Sequence, residues 1–344
     1  MHIAIVGAGP AGSHLACQLA GAEHEILLFD THVPWEKPCG GGLSPLVGQL
    51  FADVMALPFP RHCPPRLLLR ASDGSQVEQA LNSSDWAIVS RADLGRALLE
   101  HALANGRVCH IHQRVTDVQR TTEGWSVRTS SGKVFCADFL VGADGVQSIV
   151  RRHAVGPIPQ QHLSLAVGYR VQGAPQAMVL QTFRDLEGYL WSFPRRDHAS
   201  VGIGSRLGTT SPRDLWQRVD QFLGEACPEA KKRERWSALL PTARDSTLWE
   251  TPCVGPGWAL LGDAAGHVHP LTGEGIAYAL WSAELLAEAL KQGDPQVYET
   301  LWREQYGQGF VTTSEMLNRA RGTEGTYEVM FHLATTLALR ATGP

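Results

Sequence analysis

His2-Ile3-Ala4-Ile5-Val6-Gly7-Ala8-Gly9-Pro10-Ala11-Gly12, at the start of the chain, decides the reading of the fold. A short apolar run ends at a glycine and gives way to small residues. This predicts a strand, a tight turn and a helix over residues 11–21, with Leu15 and Leu19 on its apolar side. A second run, Glu25 to Asp30 (EILLFD), predicts a buried strand that ends in an acid. Within this βαβ opening each residue type has a physical purpose. Gly7 permits the turn, Gly9 lets a pyrophosphate approach the backbone, and Gly12 lets helix and strand pack closely. The helix start at Pro10 and Ala11 puts the positive end of the dipole beside the phosphates. Asp30 is placed to accept hydrogen bonds from an adenosine ribose. The spacing predicts a dinucleotide site, against the alternative of a plain glycine turn, but does not separate FAD from NAD.

Composition narrows the classes. The chain has 344 residues, 44% of them hydrophobic, enough for a large core in more than one domain. A formal net charge of −4 gives no basic surface for nucleic acid. Charged residues make up only 19%, which fits a well-filled core or an apolar substrate. The seven cysteines are scattered and form no CxxC, as expected for reduced thiols in a cytoplasmic protein. The first strand begins at His2, leaving no room for a signal peptide, and no apolar run approaches a bilayer-spanning length. Peripheral membrane contact stays open.

Outward from the opening, residues 66–80 predict a hairpin turning at Asp73-Gly74, and residues 91–105 a helix with Ser90 as its N-cap. A second hairpin is expected from 125–129 and 134–141. Strands are expected near 163–171, 177–183, 188–193 and 199–204, helices over 211–223 and 228–240, a buried strand over 258–261, and a helix over 275–291. The tail beyond Pro295 reads as mostly helical.

Two further corners separate FAD from NAD. Gly142-Ala143-Asp144-Gly145, with Ser148 and Arg151 after it, resembles the DG fingerprint of flavoprotein aromatic hydroxylases. Gly262-Asp263-Ala264-Ala265-Gly266, followed by Pro270 and Gly273-Glu274-Gly275-Ile276, resembles their GD fingerprint. Lys37-Pro38-Cys39-Gly40-Gly41-Gly42-Leu43 resembles the PCGGG loop of geranylgeranyl reductases. Tyr189-Leu190-Trp191-Ser192-Phe193-Pro194, with Gly202-Ile203-Gly204 downstream, resembles their YxWxFP…GxG pattern. The resemblance, to the geranylgeranyl reductase and flavoprotein hydroxylase superfamily, covers residues 1 to about 292. Reductases of this kind usually continue further beyond their last motif.

The resemblance implies an α/β fold. A Rossmann-like FAD-binding domain of the glutathione-reductase type (1–65, 89–155 and 252–295) would join an antiparallel β-sheet substrate domain (66–88 and 156–251) and a helical C-terminal segment (296–344). It implies that Gly7, Gly9, Pro10, Ala11, Gly12, Asp30, Cys39, Gly40, Gly41, Arg91, Asp144, Gly262, Asp263, Pro270, Gly273, Gly275 and Ile276 serve FAD, and that the backbone at Val115 borders the adenine. The GD acid would accept from ribityl hydroxyls, and the helix start after Gly275 favours negative charge on reduced flavin.

Cys39 and Glu274 are the catalytic candidates. Cys39 is either a small buried residue or a thiol facing the flavin, and Glu274 either shuttles protons or caps the following helix. Tyr189, Trp191 and Phe193 alternate and so share one face. Core packing explains that pattern as well as a cavity does, and the resemblance assigns them to substrate. An arginine at a helix start, as Arg91 is, does not suit the dipole, which favours a functional role. His267 and His269 lack a third ligand nearby, so no metal is expected. Lys37 is the one lysine within a motif, and its position does not match a halogenase.

With a single strand–GxGxxG–helix unit, NAD(P)H is expected to bind transiently. The expected activity is reduction of a carbon–carbon double bond of an apolar substrate by NAD(P)H through FAD. The alternative is hydroxylation of an aromatic small molecule or a protein-bound tryptophan through a flavin hydroperoxide. A flavin-holding partner protein without turnover is the third reading.

Overall fold

The apolar runs of the opening pair as expected, because strands buried on both faces need parallel neighbours and helical cover. The computed structural model describes residues 1–21, 24–82, 86–104, 106–321, 323, 325 and 327–332. They pack as two units, the first of residues 1–35, 92–159 and 243–315, the second of 36–91, 160–242 and the chain from Met316 on. Residues 36–65, grouped above with the cofactor domain, therefore pack with the second unit.

In the first unit a six-stranded sheet runs in the order Val254–Gly255, Trp258–Leu260, Phe139–Gly142, His2–Val6, Glu25–Phe29, Val108–Ile111. All neighbours are parallel except the short Val254–Gly255 strand. The strands His2–Val6, Phe139–Gly142 and Trp258–Leu260 are neighbours, so their carboxyl ends share one edge. That edge is where an open α/β sheet takes its ligand. Helices Pro10–Leu19 and Ile276–Lys291 pack on each other. A three-stranded antiparallel sheet, Val115–Thr121, Gly124–Thr129 and Val134–Ala137, completes this unit.

The expected strand 134–141 is two strands. Its break at Asp138 has a clear cause: the Asp138 N–H donates to His2 O at 2.9 Å and its Oδ2 accepts from the His2 N–H at 2.7 Å. The hairpin strand stops there, and the chain enters the parallel sheet.

The second unit is built on a seven-stranded sheet: Lys231–Pro241, Leu163–Gln172, Ala199–Arg206, Gly188–Pro194, Met178–Thr182, Arg66–Arg70, Gln76–Ala80. Only the Met178–Thr182 and Arg66–Arg70 pair is parallel. Helix Pro212–Ala226 lays Leu215, Val219, Phe222 and Leu223 on this sheet against Val171, Leu190 and Val201. Its start is capped by Ser211, whose side chain accepts from the Asp214 N–H.

One expected helix is wrong. Residues 231–241 form a strand paired with Leu163–Gln172 instead of the helix expected over 228–240. Lysine, arginine, glutamate and leucine favour a helix locally. The Trp236 ring overrides that preference, filling the space over Gly168 and Gly202, where an added Cβ would come within 2.4 and 2.7 Å of it.

The helix expected over 91–105 spans Arg91–Leu103, and Asn105 lies outside the described residues. The tail is helical over Val297–Trp302 and Gln308–Arg319, with a π-helical turn at Arg303–Gly307 between them. Residues 333–344 lie outside the described ones. No helix among the described residues is long and apolar enough to cross a membrane.

Candidate cofactor and active site

In the first unit the structure brings the three glycine corners together. Gly7, at φ +100°, lies so close to the DG corner that a Cβ on it would stand 2.3 Å from Ala143 O. A Cβ on Gly12 would stand 1.8 Å from Gly7 O. The third corner joins through Gly262, whose Cβ would meet Ala279 at 3.2 Å and Ala11 at 3.5 Å. Arg151 Nη1, from the DG segment, donates to Ala264 O of the GD segment at 3.2 Å.

Gly7 and Gly12 are thus required by the fold itself. Gly9 is not. Its φ of −67° and ψ of −174° suit any residue, and a Cβ there would meet nothing within 4 Å. Helix Pro10–Leu19 starts at Gly9 with no side-chain cap, so its first N–H groups face outward as anion donors. Asp30 sits beside them, with Oδ2 accepting from the Ala8 N–H at 2.8 Å and Oδ1 from His32 and Val33 at 2.6 and 3.0 Å. Asp144 Oδ2 accepts from the Ile149 N–H at 2.7 Å, while its buried Oδ1 has no protein partner. Burial raises the Asp144 pKa. These features fit the ADP half of FAD: an open backbone approach at Gly9, free donors at a helix start, an acid for the ribose and an acceptor left over.

Asp263 Oδ1 packs on Gly275, 3.3 Å from where a Cβ would be, at the start of helix Ile276–Lys291. The loop between folds back on itself, with His269 N donating to Glu274 O and Gly273 N to His269 O, both at 2.9 Å. Gly273 needs its φ of +68° for this turn. Pro270 and Ile276 are buried, and Glu274 is half-buried. Val115 begins its strand with its side chain buried.

Behind the loop lies a cluster that sequence reading missed. His267 is fully buried, with Nδ1 2.9 Å from the Tyr306 hydroxyl and Nε2 3.5 Å from Cys253 Sγ. Tyr306 comes from the π-helical turn, a distortion that often marks functional sites. Burial pushes His267 down to about 3, helped by the charges of Arg151 and Arg303, and burial alone pushes His269 down to about 4. Unfolded histidines take up protons near 6.5, so between there and pH 4 the unfolded chain binds more protons and stability falls with pH. At pH 5 each histidine costs about 2 kcal/mol relative to pH 7.5. Denaturant unfolding at the two pH values should show that loss, and His269→Phe should remove about half of it. A pH-independent midpoint would contradict the burial.

In the second unit the expected Cys39 loop and aromatic strand meet directly. A Cβ on Gly40 would lie 2.6 Å from the Phe193 ring, and one on Gly42 would lie 3.0 Å from Phe193 and 3.2 Å from Trp86. The Trp191 ring stacks on Trp236 at 5.9 Å, and Tyr189 packs on Phe331 at 4.5 Å. Within this unit these glycines pack on the aromatic strand. Cys39 Sγ accepts from the Gly41 N–H at 3.3 Å. Burial alone would push the Cys39 thiol up, but the Arg91 guanidinium, the Gly41 N–H and Arg195 outweigh it and hold the pKa below the usual thiol value.

Arg91 therefore stands beside Cys39, and its own N–H donates to Glu36 Oε1 at 2.9 Å. Glu36 and Arg195 were not read from the sequence. The available signal was their position, immediately before the Lys37–Leu43 motif and immediately after Pro194.

Comparison with known proteins identifies the family. The FAD dependent oxidoreductase (DAO) family matches residues 56–289, and the chain belongs to that family. It is 28% identical to the menaquinone reductase of Mycolicibacterium smegmatis, over 99% of this chain and 91% of that protein. It is also 28% identical to the geranylgeranyl diphosphate reductase of Rhodobacter capsulatus, over 85% and 76%. A solved structure from Thermoplasma acidophilum, described as geranylgeranyl bacteriochlorophyll reductase-like, superposes with a TM-score of 0.78 at 23% identity, covering 92% of this chain and 87% of that one. The protein is an FAD-dependent oxidoreductase with the fold of the geranylgeranyl reductase-like and flavin hydroxylase group.

Proposed function

We propose that this oxidoreductase reduces a carbon–carbon double bond of an apolar, prenyl-type substrate, with NAD(P)H as transient reductant. The observation that carries the reading is the packing of the Cys39–Gly42 loop on Trp191 and Phe193, which joins the two reductase-like motifs in one wall. The names of the relatives, geranylgeranyl diphosphate reductase and menaquinone reductase, support it. FAD, when bound, supplies hydride to one carbon of the double bond.

The chain's residues do the rest. Gly9 and the helix start behind it hold the pyrophosphate, Asp30 the ribose and Asp263 the ribityl chain. Gly273, Gly275 and Ile276 shape the loop at the ring end. Tyr189, Trp191 and Phe193 exclude water and favour an apolar chain over a polar one. Reduction also needs a proton on the second carbon. We assign its delivery to Cys39 Sγ, with Glu274 as the second proton-handling group.

Cys39→Ser should keep the FAD content and lower kcat for double-bond reduction about a hundredfold, the usual worth of a placed proton donor. Steady-state kinetics with a geranylgeranyl substrate and NADPH or NADH would check this. An unchanged kcat would remove Cys39 from the mechanism.

A further inference from the structure

We infer that the Glu36–Arg195 ion pair is a positioning device that fixes the Cys39 loop. The pair is buried, with side chains 15% and 4% exposed and an N–O distance of 2.5 Å. A buried ion pair contributes little stability that a well-packed apolar pair would not match, so its use here has to be sought in what it holds. Several further hydrogen bonds of the pair reach the loop and its neighbours. Arg195 Nη2 donates to Cys39 O at 2.9 Å and to Gly40 O at 3.3 Å. Ser200 Oγ also donates to Cys39 O at 2.9 Å, so that carbonyl is gripped by two donors. Glu36 accepts from the Arg91 N–H at 2.9 Å and from Ser90 Oγ at 2.5 Å, and its carbonyl accepts from Arg170 Nη2 at 2.7 Å.

The loop lies directly on the guanidinium. Gly41 has a φ of +79°, and a Cβ on it would stand 2.2 Å from Val89 O and 3.0 Å from Arg195 Nη2. No other residue type fits there without moving the clamp. The pair thus couples three features: the end of the aromatic strand, the Cys39 backbone, and the N–H of Arg91, whose guanidinium faces the thiol. Among the described residues the charges that act on the Cys39 thiol are Arg91 and Arg195; Glu36 pairs with Arg195, His198 lies 3.2 Å from Arg195, and Asp197 lies 2.8 Å from His198. The loop geometry stands independently of the proposed reaction, and only the kinetic readout rests on Cys39 acting as proton donor.

The test uses the full FAD-loaded chain. The ultraviolet absorbance of the Cys39 thiolate is titrated with pH, each protein being read against its own Cys39→Ser counterpart. Arg195→Gln should raise the titration midpoint by about one pH unit, a tenfold loss of thiolate near neutrality. The same change frees the Cys39 carbonyl from the guanidinium and should lower kcat through lost placement of the thiol, with FAD content unchanged, even though more of the thiol is then protonated. Arg195→Lys keeps the charge but loses the planar fork. It should fall between, with about a threefold loss of thiolate. If Arg195→Gln fails to fold, Arg195→Lys decides alone. A wild-type midpoint and wild-type kcat in the folded variants would overturn the inference. Shifted midpoints, together with no turnover of prenyl substrates even by the wild type, would leave the clamp standing and remove the reductase reading.

Discussion

Gly9→Val is expected to give a folded protein that purifies without FAD. The backbone at Gly9 is in an ordinary extended conformation, and a Cβ would enter open space, so the substitution disturbs no contact of the fold. Its cost in stability should stay within about 1 kcal/mol, the scale of exchanging an N-cap glycine for an aliphatic residue. The space a valine fills is the approach to the helix N-terminus, where a pyrophosphate must come to backbone contact distance. Gly12→Ala is the contrasting case. Its Cβ would collide with Gly7 O at 1.8 Å, so the strand–helix packing itself must give way and stability falls with cofactor content. Absorbance of the purified variants and their thermal unfolding separate the two effects. A Gly9→Val protein with full FAD content would sink the assignment of the ADP half to this corner.

Asp30→Ala should damage both fold and binding. Its carboxylate accepts three backbone N–H groups, from Ala8, His32 and Val33, and so ties the glycine turn to the chain leaving the second strand. Removing it strands those donors and should cost on the order of 3 kcal/mol. The same carboxylate is the proposed ribose acceptor, and a charged hydrogen bond lost there lowers FAD affinity by about a hundredfold. Asp30→Asn keeps one acceptor oxygen and should recover part of the stability but little of the affinity. Denaturant unfolding of the apo-protein and an FAD titration read the two quantities independently. Wild-type values of both for Asp30→Ala would contradict the geometry described.

The parts legible in the sequence were those whose cause is local. The opening strand, turn and helix, the hairpin at Asp73-Gly74 and the strands between 163 and 206 follow from period and turn chemistry within a few residues. The three glycine corners were readable because each carries its own short pattern, and the sheet order then brings Gly7, Ala143 and Gly262 to one edge. What failed depended on distant partners. Residues 231–241 have helix-forming side chains, and the pairing with Leu163–Gln172 together with the Trp236 ring over Gly168 and Gly202 makes them a strand. Asp138 ends a strand because His2 is its partner. Glu36 and Arg195 are single charges separated by 159 positions, and nothing in either neighbourhood announces the other. The glycines of the Cys39 loop pack within their unit on the Phe193 and Trp86 rings, which come from distant segments.

The proposed activity is the addition of hydrogen across a double bond. The direct measurement is product analysis by mass spectrometry after incubating the FAD-loaded protein with NADPH or NADH and a geranylgeranyl substrate, once under argon and once in air. Turnover is expected without oxygen, with a product that has gained one hydride and one proton per reduced bond. Turnover that requires oxygen, with an oxygen atom in the product, would contradict it and establish the enzyme as a monooxygenase.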